Sequence, residues 1–373
     1  MPPKLKIAIN TGGGDAPGLN AVIRAATLSA LDLGWEVWGI SHGYRGMFEE
    51  KGLTRLDRDA VRGIGHLGGT ILGTANRGDP FHYPTMVGGK LTPVDRSAEL
   101  VERFKREGFD ALVAIGGDGS LTIAQKLFEA GIPRIVGVPK TIDNDVAGTD
   151  VTFGFDTAVT IATEALDRLH TTAEAHDRVM VVEVMGRHAG WIGLTSGLAG
   201  GADAILIPEV PYSIERVAEK VLQRERRGRH FSIIVAAEGA MEIDGHLTIK
   251  SEGDEFRRVE VLGGIAERVA KQLAPLTGKE TRSMVLGHLQ RGGGPSSADR
   301  VLALRFGSSA IAKLADGVVS GMVGMRNGEV ALVPLTEAAG RTRTVPVDRG
   351  IVATARRIGI CLGDEVQGCF SGG

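Results

Sequence analysis

The sequence predicts an α/β fold with a mostly parallel, helix-flanked sheet in each half of the chain. Short apolar runs alternate with glycine-rich turns and amphipathic stretches, the order expected of strand–turn–helix units. Glycine is abundant, at 54 residues, while aromatics make up only 5%, so tight turns and close backbone approaches are many. The length of 373 residues suits about two domains.

In order, Lys4–Asn10 reads as a buried strand, 11–18 as a turn and Leu19–Leu33 as a helix. Trp35–Ser41 and Asp110–Ile115 are further strands. A glycine turn at 116–120 then opens a helix to about Ala130, and Pro133–Val138 is the next strand. In the second half, Asp156–His170 is helical by period. Arg178–Met185 is a nearly continuous apolar strand, a sign of burial on both faces. Ile214–Arg227 and Val259–Leu273 read as helices, with Phe231–Ala237 and Ser283–Leu286 as strands. Residues 336–349 are the least patterned, and a domain boundary is expected near 145–155.

Composition excludes several classes. Hydrophobic residues at 43% and charged residues at 24% are ordinary for a globular protein. A net charge of −2 gives no overall basic field for nucleic acid or an anionic membrane, so a site for anions must be locally basic. Cys361 and Cys369 supply neither a disulfide framework nor zinc spacing and read as reduced thiols. No signal peptide is expected at residues 1–10, and no apolar run approaches the ~18 residues of a membrane span. The basic run Arg224–Arg229 reads as a solvated helix end.

Five segments carry chemistry. Thr11–Gly18 lies between a strand and a helix, where glycine N–H groups and a helix N-terminus can meet phosphate. Its spacing is neither a dinucleotide fingerprint nor a P-loop. In the turn Gly116–Ser120, Asp118 is placed either to hold Mg²⁺ or to cap the helix. In Pro139–Asp145, Asp143 and Asp145 follow a strand, with Lys140 before them. That pattern suits a general base beside a second carboxylate, or an Asx-rich turn. Arg187 ends the buried strand, and Arg282, His288 and Arg291 form a further basic cluster suited to an anionic substrate.

Together, TGGGDAPGLNAVIR, GGDGS, PKTIDND, RVMVVEVMGRHAGW and ETRSMVLGHLQRGG resemble the 6-phosphofructokinase family in order and spacing, from residue 11 to about 300. The resemblance implies an active site in a cleft between two domains. One, the nucleotide and Mg²⁺ domain, takes in 1–150 and about 290–340. The other, the sugar-phosphate domain, takes in 151–289 and 341–373. It implies transfer of a phosphoryl group to O1 of fructose 6-phosphate, with Asp143 as base, Asp145 and Arg187 assisting, and Mg²⁺ on Asp118. Gly13, Gly14, Asn76, Arg77 and Gly117–Ser120 are implied nucleotide contacts. Thr141, Ile142, Met185, Gly186, Glu238, His288, Leu289 and Gln290 join Arg187 and Arg291 around the sugar phosphate. Arg178 and Arg282 resemble arginines supplied across a subunit interface, which implies a homodimer or homotetramer. Such an enzyme is expected in the cytoplasm.

The donor rests on two residues that point opposite ways. Gly119 is the ATP-like choice and Lys140 the pyrophosphate-like one. A side chain at 119 would block the nucleotide by bulk and charge, whereas a lysine at 140 can bind either donor. ATP is therefore expected, with pyrophosphate as the alternative. A catalytically silent sensor on the same fold would lack Asp143 or Asp118, and both are present. Asn76-Arg77 is offset by one residue from the arginine that ATP-using relatives often carry. Leu28 stands where a second effector arginine, beside Arg24, is expected, so regulation by ADP or phosphoenolpyruvate is not anticipated.

Overall fold

The computed structural model describes residues 4–75, 78–243, 245, 249–251 and 261–364. Its strands are β1 Lys6–Thr11, β2 Glu36–Ile40, β3 Leu53–Arg55, β4 Tyr83–Val87, β5 Lys90–Val94, β6 Ala111–Gly116, β7 Ile135–Pro139, β8 Val179–Val184, β9 Ala204–Leu206, β10 Ser232–Ala237, β11 Ile249–Ser251, β12 Val261–Leu262, β13 Thr281–Val285, β14 Ser320–Arg326 and β15 Glu329–Val333. Seven of them form one sheet in the order β15-β14-β7-β6-β1-β2-β3. Its inner pairs are parallel, and the edge strands β3 and β15 run antiparallel. A second, wholly parallel sheet has the order β13-β8-β10-β9. The α/β class expected from the sequence is what the chain adopts.

The apolar runs explain the layering. β6, β7, β8 and β10 are buried along their whole length, as Val-, Ile- and Ala-rich strands covered on both faces must be. Helices Leu19–Asp32 and Ser297–Ala315 cover one face of the first sheet, where Ile23, Phe306 and Ile311 pack on Ile7 and Ile9. Ser97–Arg106 and Asp118–Glu129 cover the other with Leu100, Phe104, Leu121 and Leu127. In the second sheet, Phe155–Ala175 and Trp191–Ala199 lie on one face, and Ile214–Arg226 and Ile265–Thr277 on the other. Each fully buried Leu, Ile or Phe contributes roughly 1.5–3 kcal/mol.

Among the described residues, the chain passes between the two layered bodies three times: before Phe155, before Ser297 and after Ala338. The first two passages are laced together. Asp299 accepts from the Thr157 N–H at 2.7 Å and its hydroxyl at 2.6 Å. Ser296 Oγ donates to Asp156 at 2.6 Å and accepts from the Asp299 N–H at 3.2 Å. Each helix start is thus satisfied partly by the other helix's residues.

Some expectations change. The helix expected from Val259 begins at Ile265, because Gly263 and Gly264 hold φ of 145° and 93° and break the run. The run Arg224–Arg229 ends its helix and is exposed from residue 226 on, as expected, but Arg224 turns inward: it pairs with Asp203 at 2.7 Å and its side chain is 23% exposed. Strands β14 and β15, which the sequence pattern did not announce, extend the first sheet. Cys361 is a free thiol, and Cys369 lies outside the described residues. Among the described residues, no helix is long and apolar enough to cross a membrane.

Candidate active site

The three central strands of the first sheet deliver one wall. β1, β6 and β7 are neighbours, with Thr11 opposite Ile115 and Gly116 opposite Pro139, so loops 12–18, 117–120 and 140–145 emerge side by side. Backbone bonds lock them: Gly12 N–H to Ile115 O and Lys140 N–H to Gly116 O, both 2.9 Å. The glycines are required where Ser120 packs. A Cβ on Gly116 would sit 2.2 Å from Ser120 Cβ. Gly13 holds a φ of +74°, which favours glycine. Gly117 occupies the N-cap position without a side-chain cap bond, so the Asp118 carboxylate is not the cap of its helix. A Cβ on Gly119 would meet nothing within 4 Å.

The 140–145 loop concentrates charge in a dry place. Thr141 Oγ1 accepts the Asp143 N–H at 3.0 Å, and Asn144 takes a φ of 54° while its Oδ1 accepts the Thr152 N–H at 3.0 Å. Burial pushes the Asp143 carboxyl up, against the pull of Arg291, Lys140 and His188. Burial, with Asp143 and Asp118 nearby, raises Asp145 to about 7. Lys140 is 4% exposed and its ammonium bonds the Gly14 carbonyl. Burial and Arg291 push that ammonium down to about 8.

The second sheet supplies the facing wall from β8, β10 and β13, again adjacent strands. Gly186, at a φ of 135°, accepts the Gly239 N–H at 3.1 Å. A Cβ on Gly239 would lie 2.0 Å from the Arg187 carbonyl oxygen, so two glycines let the 185–187 and 238–239 loops touch. Burial and Asp143 raise Glu238 to about 7, with Arg187 opposing. These interactions put Asp143, Glu238, Arg187 and Arg291 in one cleft. Arg291 also donates to the Asp15 carbonyl at 3.0 Å, and its guanidinium faces Gly14.

Other expected contacts are placed differently. Ile142 is fully buried, and Met185 is 8% exposed. Gln290 is fully buried, and its amide accepts the Met185 N–H at 3.3 Å and donates to Gly287 O at 3.1 Å. It braces Met185. His288 is exposed and Leu289 is 68% exposed. Arg178 and Arg282 sit beside each other at the open edge of the second sheet, both paired to Glu280, Arg178 at 2.9 Å. Asn76 and Arg77 lie outside the described residues. Sequence reasoning passed over His188, which faces Asp143 and Asp118; its place directly after Arg187 was the available signal.

This chain matches the family described as Phosphofructokinase over residues 6–314. An ATP-dependent 6-phosphofructokinase of Chloroflexus aurantiacus is 51% identical over 97% of this chain and 99% of its own length. A pyrophosphate–fructose 6-phosphate 1-phosphotransferase of Amycolatopsis methanolica is 49% identical over 92% of this chain and 97% of its own. Among solved structures, a phosphofructokinase of Saccharomyces cerevisiae superposes with a TM-score of 0.74 at 33% identity, over 90% of this chain and 45% of that one. A pyrophosphate-dependent phosphofructokinase of Marinobacter aquaeolei shares the fold, with a TM-score of 0.77 at 24% identity over 99% of this chain and 94% of its own. The chain belongs to the phosphofructokinase family.

Proposed function

We propose that this chain is an ATP-dependent 6-phosphofructokinase, moving the γ-phosphoryl group of ATP to the 1-hydroxyl of fructose 6-phosphate in the cytoplasm. The observation that carries it is the buried Asp143 carboxyl, held up by desolvation and surrounded by Arg291, Lys140 and His188. A base in a dry cleft with cations around it suits proton removal from an alcohol beside a charged transferring group. Thr141 fixes the loop by accepting the Asp143 N–H at 3.0 Å and orients the carboxylate by donating to its Oδ2 at 3.4 Å, and that carboxylate takes the O1 proton. The oxygen then attacks the γ-phosphorus and ADP leaves, while Arg187 offsets the charge on the transferring group.

Glu238 and Met185–Arg187 bind the sugar from the second wall, and His288 with Arg291 takes its 6-phosphate. Gly13, Gly14 and Gly117–Ser120 receive the nucleotide phosphates. We assign 1–150 with about 290–340 to the donor body, and the remainder to the sugar body. Asp118 and Asp145 suit Mg²⁺: Asp118 already raises Asp145 by repulsion, and a hard cation with carboxylate and phosphate oxygens relieves that. Bound there, it neutralises charge on the donor's phosphate oxygens.

The donor choice is supported by direction as well as residue type. The space at Gly119 is open, leaving room for a nucleotide. Lys140, the residue that favoured pyrophosphate, is buried and bonded to Gly14 O. Purified protein with fructose 6-phosphate and Mg²⁺, given ATP or pyrophosphate in parallel, tests this. Turnover with ATP is expected, and turnover with pyrophosphate alone overturns the donor assignment.

A further inference from the structure

One piece of chain beyond residue 314, outside the stretch the family match covers, returns to the reaction centre. Thr342 bridges Val146 in antiparallel register, and the Arg343 N–H donates to the Asp145 carbonyl at 2.7 Å. The Arg343 guanidinium donates to the Asn144 carbonyl at 2.8 Å. That carbonyl belongs to the left-handed residue between Asp143 and Asp145. The guanidinium carbon lies over the Trp191 ring, 4.2 Å from its centre, and the Trp191 indole N–H donates back to the Arg343 carbonyl at 3.0 Å. Two residues on, the Val345 N–H donates to Glu209 at 2.8 Å, and Glu209 also accepts the Gly190 N–H at 3.0 Å. Residues 343–345 therefore touch the 143–145 loop on one side and the end of the 185–191 segment on the other.

We propose that Arg343 is a positioning residue for phosphoryl transfer, fixing the backbone at Asn144 so that Asp143 meets the acceptor hydroxyl while tying that loop to the segment carrying Arg187. The inference rests on the reading of Asp143 as general base. A positive φ at a non-glycine residue costs free energy unless its surroundings over-determine it. Here the Asn144 side chain holds Thr152 and its carbonyl holds Arg343. A planar guanidinium can bond the carbonyl in its plane and stack on the indole at once, which an ammonium cannot.

The test is a double-mutant cycle of Arg343→Ala and Arg343→Lys with Asp143→Asn, reading kcat and KM for both substrates. Loss of the clamp lets the base drift, and a misplacement of about 1 Å is enough to cost about a hundredfold in kcat. Arg343→Ala is expected to reach that loss and Arg343→Lys about tenfold, with KM within about threefold. In the Asp143→Asn background the same changes should cost far less, at most a few-fold, since the base they position is gone and only the tie to the Arg187 segment remains. An equal loss in both backgrounds, or a rise in KM at constant kcat, overturns the positioning role. If Arg343→Ala does not fold, the lysine variant decides by the same criterion. Asp143→Asn with wild-type kcat would sink the general-base reading itself. An inactive Asp143→Asn beside a fully active Arg343→Ala sinks only the present inference.

Discussion

The two walls of the cleft are built from the same device and finished differently. In each, three adjacent parallel strands end together and release three loops. On the first wall the charged groups are buried and braced within the chain, with Lys140 on Gly14 O and Asp143 on Thr141. On the outer edge of the second, Arg178 and Arg282 stand half-exposed and exposed, and both share Glu280. β13, the strand carrying Arg282, has exposed side chains from Arg282 to Val285. The first wall braces its charged groups within one chain, while the outer edge of the second carries two arginines that share one carboxylate. This fits the homo-oligomer that the sequence resemblance implies, with these arginines supplied across a subunit interface.

Four changes break or sharpen that contrast. Asp143→Asn strikes the finished wall, and kcat should fall about a thousandfold with the fold intact, read by steady-state kinetics and circular dichroism. Arg282→Ala strikes the unfinished edge. There the KM for fructose 6-phosphate should rise about tenfold or more while kcat holds, the scale of one charge-assisted bond to a phosphate. If Arg282 serves a neighbouring subunit, mixing this variant with Asp143→Asn should regain activity in the hybrids.

The pH profile distinguishes the walls more gently. For free enzyme, kcat/KM should fall on the acid side as the Asp143 carboxyl, pushed up by burial, takes up a proton, and on the alkaline side above about 8, where Lys140 loses one. Lys140→Met should keep the acid limb and lose the alkaline one. The smallest effect is on stability. Asp145 holds its proton to about 7 when folded, while an unfolded aspartate releases it near 4. Between those values the native state binds more protons, so stability falls as pH rises through the window. Without divalent metal, Asp145→Asn should gain about 1–2 kcal/mol at pH 8 and nothing at pH 4, read by thermal or urea unfolding.

Local pattern made much of this legible. The apolar runs of β6 to β8 and β10 announced a layered α/β fold, and glycine and aspartate clusters at strand ends marked where a ligand belongs. What stayed hidden depends on contacts distant in sequence. Nothing around Arg343, in the least patterned stretch, signals a partner 199 residues earlier. Residue type gave Lys140 a phosphate-facing role, but only the packing of Gly14 against it sets its direction. Gln290 carried a polar side chain suited to a sugar, yet its burial makes it a brace.

The lacing of Thr157 to Asp299 and Asp156 to Ser296 has a mechanical meaning. A body tethered by one strand of chain can tumble, and one tethered by two swings like a door. Here two tethers are stitched into a single pivot, and a third runs through Arg343 to Asn144. Such stitching is expected to resist a wide hinge opening. The movement expected of it is a short slide of one packed face along another.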